Sequence, residues 1–278
     1  MKTIIVATDY SATASNALRF AAKLAQVFNA NLVLFNVYHF NVHVSNSLAK
    51  PEVRDHIIKD NENRLKRLAE ETALLYQLNV SWDIKTADTV EELKNYATSH
   101  QPDLVVMGMD SNIQEYKLFG NTTTAAIRRL KCPVLVVPND VEYKGISRVL
   151  YACEYKFLCE DNHLDLLKEI TRKFTAELQV FHVETKADKR VPVTADIQIS
   201  TIDKLMENID HTYRFVDNPS IADGIIQGVE AWKADLLVMV PHKTGLWESI
   251  FKSSTTREMT LRGRVPLLIL PNVSGHPV

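Results

Sequence analysis

The sequence predicts an α/β fold built twice over, each copy a five-stranded parallel sheet between helices. Three observations predict it. Short, almost wholly apolar runs alternate with longer segments of helical period, the pattern of strands buried on both faces between crossover helices. The alternation recurs in the second half of the chain, motif by motif and in the same order. A length of 278 residues is long for one compact domain and suits two.

The elements follow in order. Lys2–Thr8 is a continuous apolar run suited to a buried strand. Ser11–Phe28 carries Ala14, Leu18, Ala21, Ala25 and Phe28 at helical spacing, with Ser11 or a neighbouring hydroxyl as its cap. "NLVLFNVY" is a second buried strand. Pro51–Leu78 is a long charged helix with proline in its first turn. "VSWDIKT" alternates like a strand, and "TVEELKNYATSH" opens a helix with Thr89 and Glu92 at capping-box spacing. Pro102–Pro138 then supplies a buried strand, a loop with two glycines, a hydroxyl-rich helix start and a final buried strand.

The second half repeats this text. "IIVATDY" from Ile4 matches "VLYACEY" from Val149, which puts Glu154 where Asp9 stands. "ANLVLFNVY" matches "AELQVFHVE", aligning Val37 with Val183. "DLVVMG" from Asp103 matches "DLLVMV" from Asp235, and "FGNTTTAAIRRLKCPVLVVP" matches "FKSSTTREMTLRGRVPLLILP". Matches in the same order indicate an internal duplication. The boundary is expected near Asn139–Gly145, giving domains over residues 1–140 and 145–278.

Composition narrows the function. A hydrophobic share of 46% with 24% charged residues is that of a folded globular protein. With 32 basic against 34 acidic side chains, scattered among one another, nothing suggests a nucleic-acid or membrane surface. Three cysteines without metal-type spacing fit a reducing compartment. The opening "MKTIIVATDYSA", broken by Asp9, is too short and polar for a signal peptide or a membrane span. A cytoplasmic location is the expectation.

A first strand ending in "ATDYS", a second ending in "FNVY", then "DLVVMG", a glycine-bearing loop and a final "CPVLVVP" closely resemble the universal stress protein family, and two such units in one chain resemble its tandem form. The resemblance implies two Rossmann-like (adenine nucleotide alpha hydrolase-like) domains forming a pseudo-dimer within the chain, with dimerisation through the last strand open to whole chains as well. In one subset of the family it implies ATP, with Mg²⁺, at the carboxyl ends of the strands. An aspartate after the first strand and a backbone position at the end of the second hold the adenosine there. The phosphates lie in a loop of the form G-x-x-G, nine residues, G-[S/T]. Asp9 and Val37 match the adenosine positions, and Met107 and Gly108 match the start of the phosphate loop. Ser111 stands at the second glycine, the spacer Asn112–Phe119 is one residue short, and Gly120 is followed by Asn121, with hydroxyls from Thr122 onward. A left-handed Ser111 would cost roughly 1–2 kcal/mol, about tenfold in affinity. The implied nucleotide-binding set is thus Asp9, Val37, Met107, Gly108, Ser111, Gly120, Asn121 and Thr122. In the second half Val240 replaces the first glycine, Lys243 stands near the second, and Lys252-Ser253 replaces Gly120-Asn121. No family-type ATP site is expected there.

Each of these residues also has a plainer reading. Asp9 could bind ribose or cap the following helix; Gly108 and Gly120 could serve phosphate or only tight turns; Thr122–Thr124 could donate to phosphate or start a helix. His39 and His43 are four apart but follow a strand, Cys153 reads as core, and the basic stretch Arg64–Arg67 is balanced by Glu62, Glu70 and Glu71 as a solvated face. No Walker, dinucleotide or nucleophile-elbow motif is present, and no metal set. Three functions remain open: a non-catalytic stress-response module with at most one ATP site, in the first half; a slow ATPase at that site, with Asp110 or Glu115 to place water; and a nucleotide-free interaction protein whose partner the sequence does not name.

Overall fold

The computed structural model describes residues 1–38, 51–86, 88–109, 121–153, 164–185, 201–240 and 265–271. These divide into two compact units, one from residues up to 139 and one from 140 onward. Unit 1 runs β1 (Thr3–Ala7), α1 (Ala12–Phe28), β2 (Asn31–Val37), α2 (Pro51–Tyr76), β3 (Val80–Lys85), α3 (Thr89–His100), β4 (Leu104–Met109), α4 (Asn121–Arg129) and β5 (Val134–Pro138). Its strands are parallel, in the order β3-β2-β1-β4-β5. Unit 2 runs β6 (Arg148–Ala152), α5 (Asp165–Phe174), β7 (Glu177–Glu184), β8 (His211–Asp217), α6 (Ile221–Trp232), β9 (Leu236–Met239) and β10 (Leu267–Ile269), again parallel, in the order β10-β9-β6-β7-β8.

The burial pattern explains why the strand sequences read as they do. Ile4, Ile5 and Val6 of β1 and Leu104, Val105 and Val106 of β4 are wholly buried, because helices cover both faces of the inner strands. The edge strand β3 is nowhere fully buried, as its alternating sequence implies.

Local chemistry fixes the helix ends. The Ser11 hydroxyl accepts from the Ala14 N–H at 3.1 Å and starts α1. The helix ends at Asn29, left-handed at φ 52°, whose N–H reaches back to the Ala25 and Gln26 carbonyls. The start of α3 corrects the sequence reading: the cap is Asp88, not Thr89. Asp88 Oδ1 accepts from the Val90 and Glu91 N–H groups at 3.1 and 3.0 Å. A carboxylate satisfies two orphan donors at once and carries a full charge at the positive end of the helix, so it outcompetes the adjacent hydroxyl.

The duplication shows in hydrogen bonds as well as in sequence. Asp103 Oδ2 accepts from the Lys2 and Thr3 N–H groups at 2.7 and 2.8 Å, tying the start of β4 to the start of β1. Asp235 Oδ2 does the same with Ser147 and Arg148, at 2.8 and 2.9 Å, for β9 and β6. The aspartate that opens "DLVVMG" and "DLLVMV" is therefore a strand clamp.

Candidate functional site

In a sheet ordered β3-β2-β1-β4-β5 the chain winds one way from β1 to β3 and the other way from β4 to β5. The switch point lies between β1 and β4, and ligands of open α/β sheets settle outside the carboxyl ends of strands at such a point. Asp9, Tyr10, Val37 and Gly108 gather at that edge.

The last bond joining β1 to β2 runs from the Thr8 N–H to the Phe35 carbonyl, at 2.9 Å. Even-numbered residues of β2 bond to β3, as the Leu32 N–H to Asn79 and the Tyr38 N–H to Lys85 show, and odd-numbered ones bond to β1, as the Asn31 N–H to Lys2 shows. Val37 is odd-numbered, so its main chain faces β1 beyond the last shared bond. Among the described residues its N–H and C=O have no partner. The Thr8 carbonyl, which a continued ladder would give to Val37, instead accepts the Asn36 side-chain Nδ2 at 2.6 Å. The result is an adjacent donor and acceptor presented at the strand end, held by the sheet.

Asp9 is exposed in the loop after β1, and its Oδ1 accepts from the Ser11 N–H at 2.9 Å. It shapes the turn into α1 while Ser11 caps the helix, and its Oδ2 is unpartnered among the described residues. Tyr10 follows in a left-handed conformation, φ 65°, with its N–H on Thr8 Oγ1 at 3.1 Å. Its hydroxyl donates to the Asn61 carbonyl at 3.4 Å, and the Arg64 guanidinium lies 3.9 Å from its ring centroid. Burial pushes the Tyr10 phenol above its usual range, and Arg64 partly offsets this. Arg64 is therefore more than one charge on a solvated helix face: it braces the loop that carries Asp9.

Met107 and Gly108 lie near the end of β4, beside Val136 and Val137. The Met107 side chain is buried in the core, which leaves only its main chain for a ligand. A Cβ on Gly108 would lie 2.6 Å from the Thr13 carbonyl oxygen, so the glycine lets the first turn of α1 rest on β4. This close approach is a reason for Gly108 that needs neither a turn nor a phosphate. Asn121 and Thr122 are the first two residues of α4, whose opening N–H groups lack intrahelical acceptors. Ser111 and Gly120 lie outside the described residues, as do Asp110, Glu115, His39, His43, Glu154, Lys243 and Lys252.

The corresponding edge of unit 2 repeats half of this. The Cys153 N–H bonds to the Phe181 carbonyl at 3.0 Å, and His182 Nδ1 lies 2.9 Å from the Cys153 carbonyl, as Asn36 does to Thr8. Cys153 itself is buried, 4% exposed, in line with a core residue. Yet α5 has 10 residues against 17 in α1 and begins at Asp165 without a side-chain cap. Val240 stands where Gly108 does. Among the described residues no three His, Cys, Asp or Glu side chains converge as a metal site, and no helix is long and apolar enough to cross a membrane.

A parallel α/β unit with an open main-chain edge and an aspartate at its switch point has the geometry at which open sheets of this class take ligands. Residues 1–138 match the universal stress protein family, and unit 1 belongs to that family. Among solved structures, a universal stress protein from Archaeoglobus fulgidus is similar over 97% of this chain and 98% of its own, with a TM-score of 0.76 at 18% identity. A putative universal stress protein from Pseudomonas aeruginosa is similar over 98% of this chain and 93% of its own, with a TM-score of 0.57 at 14% identity. At such identities the likeness is one of fold. No curated protein matches the sequence.

Proposed function

We propose that unit 1 holds one adenine nucleotide across the carboxyl ends of β2, β1 and β4, and that the protein is a non-catalytic stress-response module whose state follows that ligand. The observation that carries the reading is the unpaired main chain of Val37. Its N–H and C=O match the acceptor N1 and the donor N6 of adenine, and an unmet pair of backbone groups at a strand end gains by being met. Asp9 Oδ2, one strand over, suits the ribose hydroxyls. The phosphates would extend past Gly108 toward the opening N–H groups of α4 at Asn121 and Thr122, with Ser111 and Gly120 completing the loop and Mg²⁺ bound to the phosphates. Unit 2 is proposed to bind no nucleotide in this manner, since Val240 replaces Gly108 and α5 starts late.

Calorimetric titration with ATP and Mg²⁺, on protein stripped of nucleotide, tests the proposal. Near one site per chain is expected. Asp9→Asn keeps the Oδ1 acceptor for Ser11 but replaces the charged oxygen with an amide; it should bind about tenfold more weakly, as for loss of one charged hydrogen bond, with unchanged thermal stability. Absence of binding at millimolar ATP sinks the reading, and phosphate release that Asp9→Asn abolishes would replace it with the slow ATPase.

A further inference from the structure

Asn36 is 4% exposed near the end of β2, and its Oδ1 is buried without a hydrogen-bond partner. The orientation of its amide is forced. The Thr8 carbonyl, 2.6 Å away, can only accept, so the arm facing it must be the –NH₂, and the other arm must be the carbonyl oxygen. A buried acceptor left unmet is costly, and most such groups in folded proteins are paired. This one adjoins Val37, the residue whose main chain lies open at the same edge. On the reading that unit 1 holds an adenine nucleotide there, we infer that Asn36 is a base-selecting residue: its Oδ1 accepts a proton of the exocyclic amine. A base that presents a donor is thereby favoured over one that presents a carbonyl or a hydrogen at that position.

The chain supplies the variant that separates this role from a structural one. In unit 2 His182 sits at the matching position, with Nδ1 2.9 Å from the Cys153 carbonyl. A histidine there makes the strand-tying bond through Nδ1 and puts Cδ2–H where asparagine has Oδ1. Asn36→His thus keeps the bond to Thr8, deletes the acceptor and should fold.

The test is calorimetry on the full chain, wild type and Asn36→His, with ATP and with purine riboside triphosphate, which lacks the 6-amino group. The wild type should prefer ATP. Asn36→His should bind ATP about tenfold more weakly, the scale of one hydrogen bond, and purine riboside triphosphate as the wild type does. Equal weakening toward both ligands, or none toward ATP, overturns the inference while leaving the site standing. If Asn36→His does not fold, a wild-type preference for ATP of about tenfold or less, which the Val37 carbonyl alone supplies, overturns it, and a preference of more than about tenfold supports it. A wild type that binds no ATP removes both the inference and the site.

Discussion

Replacing Gly108 by alanine tests whether that glycine is there for packing. The new Cβ would meet the Thr13 carbonyl oxygen at 2.6 Å and the Thr13 carbonyl carbon and Cγ2 at 2.8 Å, where ordinary contact begins near 3.4 Å. Two of the three atoms are backbone, so no side-chain rotation relieves the clash. The helix cannot easily lift either: Ser11 caps its first turn, and Asn16 Nδ2 donates to the Pro138 carbonyl at 2.8 Å in a buried position. Overpacking of this kind costs about 2 kcal/mol, which raises the population of locally opened unit 1 roughly thirtyfold. Hydrogen exchange followed by mass spectrometry reads that change. Amides of 3–7 and 104–109 should exchange about thirtyfold faster in Gly108→Ala, while those of 149–152 and 236–239 keep their wild-type rates. Unchanged exchange at β1 and β4 would refute the packing argument and leave Gly108 to the ligand alone.

The two strand clamps and the described cysteines give further tests. Asp103→Ala removes an acceptor of two N–H groups and should loosen β1 and β4 by about 2 kcal/mol; Asp235→Ala should do the same to β6 and β9, and a silent result in either unit breaks the equivalence. Burial pushes the Cys132 thiol from 9.0 up to about 11, so its alkylation by iodoacetamide should be slow at pH 8 and rise steeply only near pH 11. The sign follows for stability: above pH 9 the unfolded thiol ionises while the folded one stays protonated, so this group's contribution falls between about pH 9 and 11, by roughly 1.4 kcal/mol per pH unit. Peptide mass spectrometry across pH separates Cys132 from Cys153, and fast labelling of Cys132 at neutral pH would contradict its burial.

Much of the fold was legible because burial on both faces leaves a plain mark. β1, β2 and β4 are continuous apolar runs, and β3 alternates as an edge strand that is nowhere fully buried. Helix ends were less legible, since several polar residues stand at each one. Asp88 and Thr89 are neighbours of capping type, and the carboxylate takes the position by accepting from two N–H groups. Two residues at the site escaped the reading. Arg64 looked like one charge in a balanced stretch, because a stack on Tyr10 across 54 residues of chain has no local signature. Asn36 did leave a signal: "FNVY" and "FHVE" each place a polar residue between apolar ones near the end of the second strand, at the same position in both copies. A polar group in a doubly covered strand must find a partner, and the structure shows that partner to be the carbonyl at the end of the first strand.

That shared bond separates what the fold needs from what a ligand needs. Both units close the end of the first strand with a side chain from the second, and both leave the valine after it, Val37 or Val183, past the last shared strand bond. The open strand end is therefore common to both units, and on the proposed reading it takes a nucleotide only within the frame of unit 1. What differs is the frame around it. Unit 1 adds a capped helix turn resting on Gly108, an asparagine with a free acceptor and a braced aspartate loop; unit 2 has Val240, a helix seven residues shorter and a histidine. Gly108 and the first turn of α1 are coupled, because the turn excludes any side chain beneath it. Unit 2 carries a valine where that glycine stands and also a shorter helix, so changing Val240 to glycine alone should not give unit 2 a nucleotide site. Val240→Gly that restored a second calorimetric site would show that the valine alone blocks binding, and that the length of the helix is incidental.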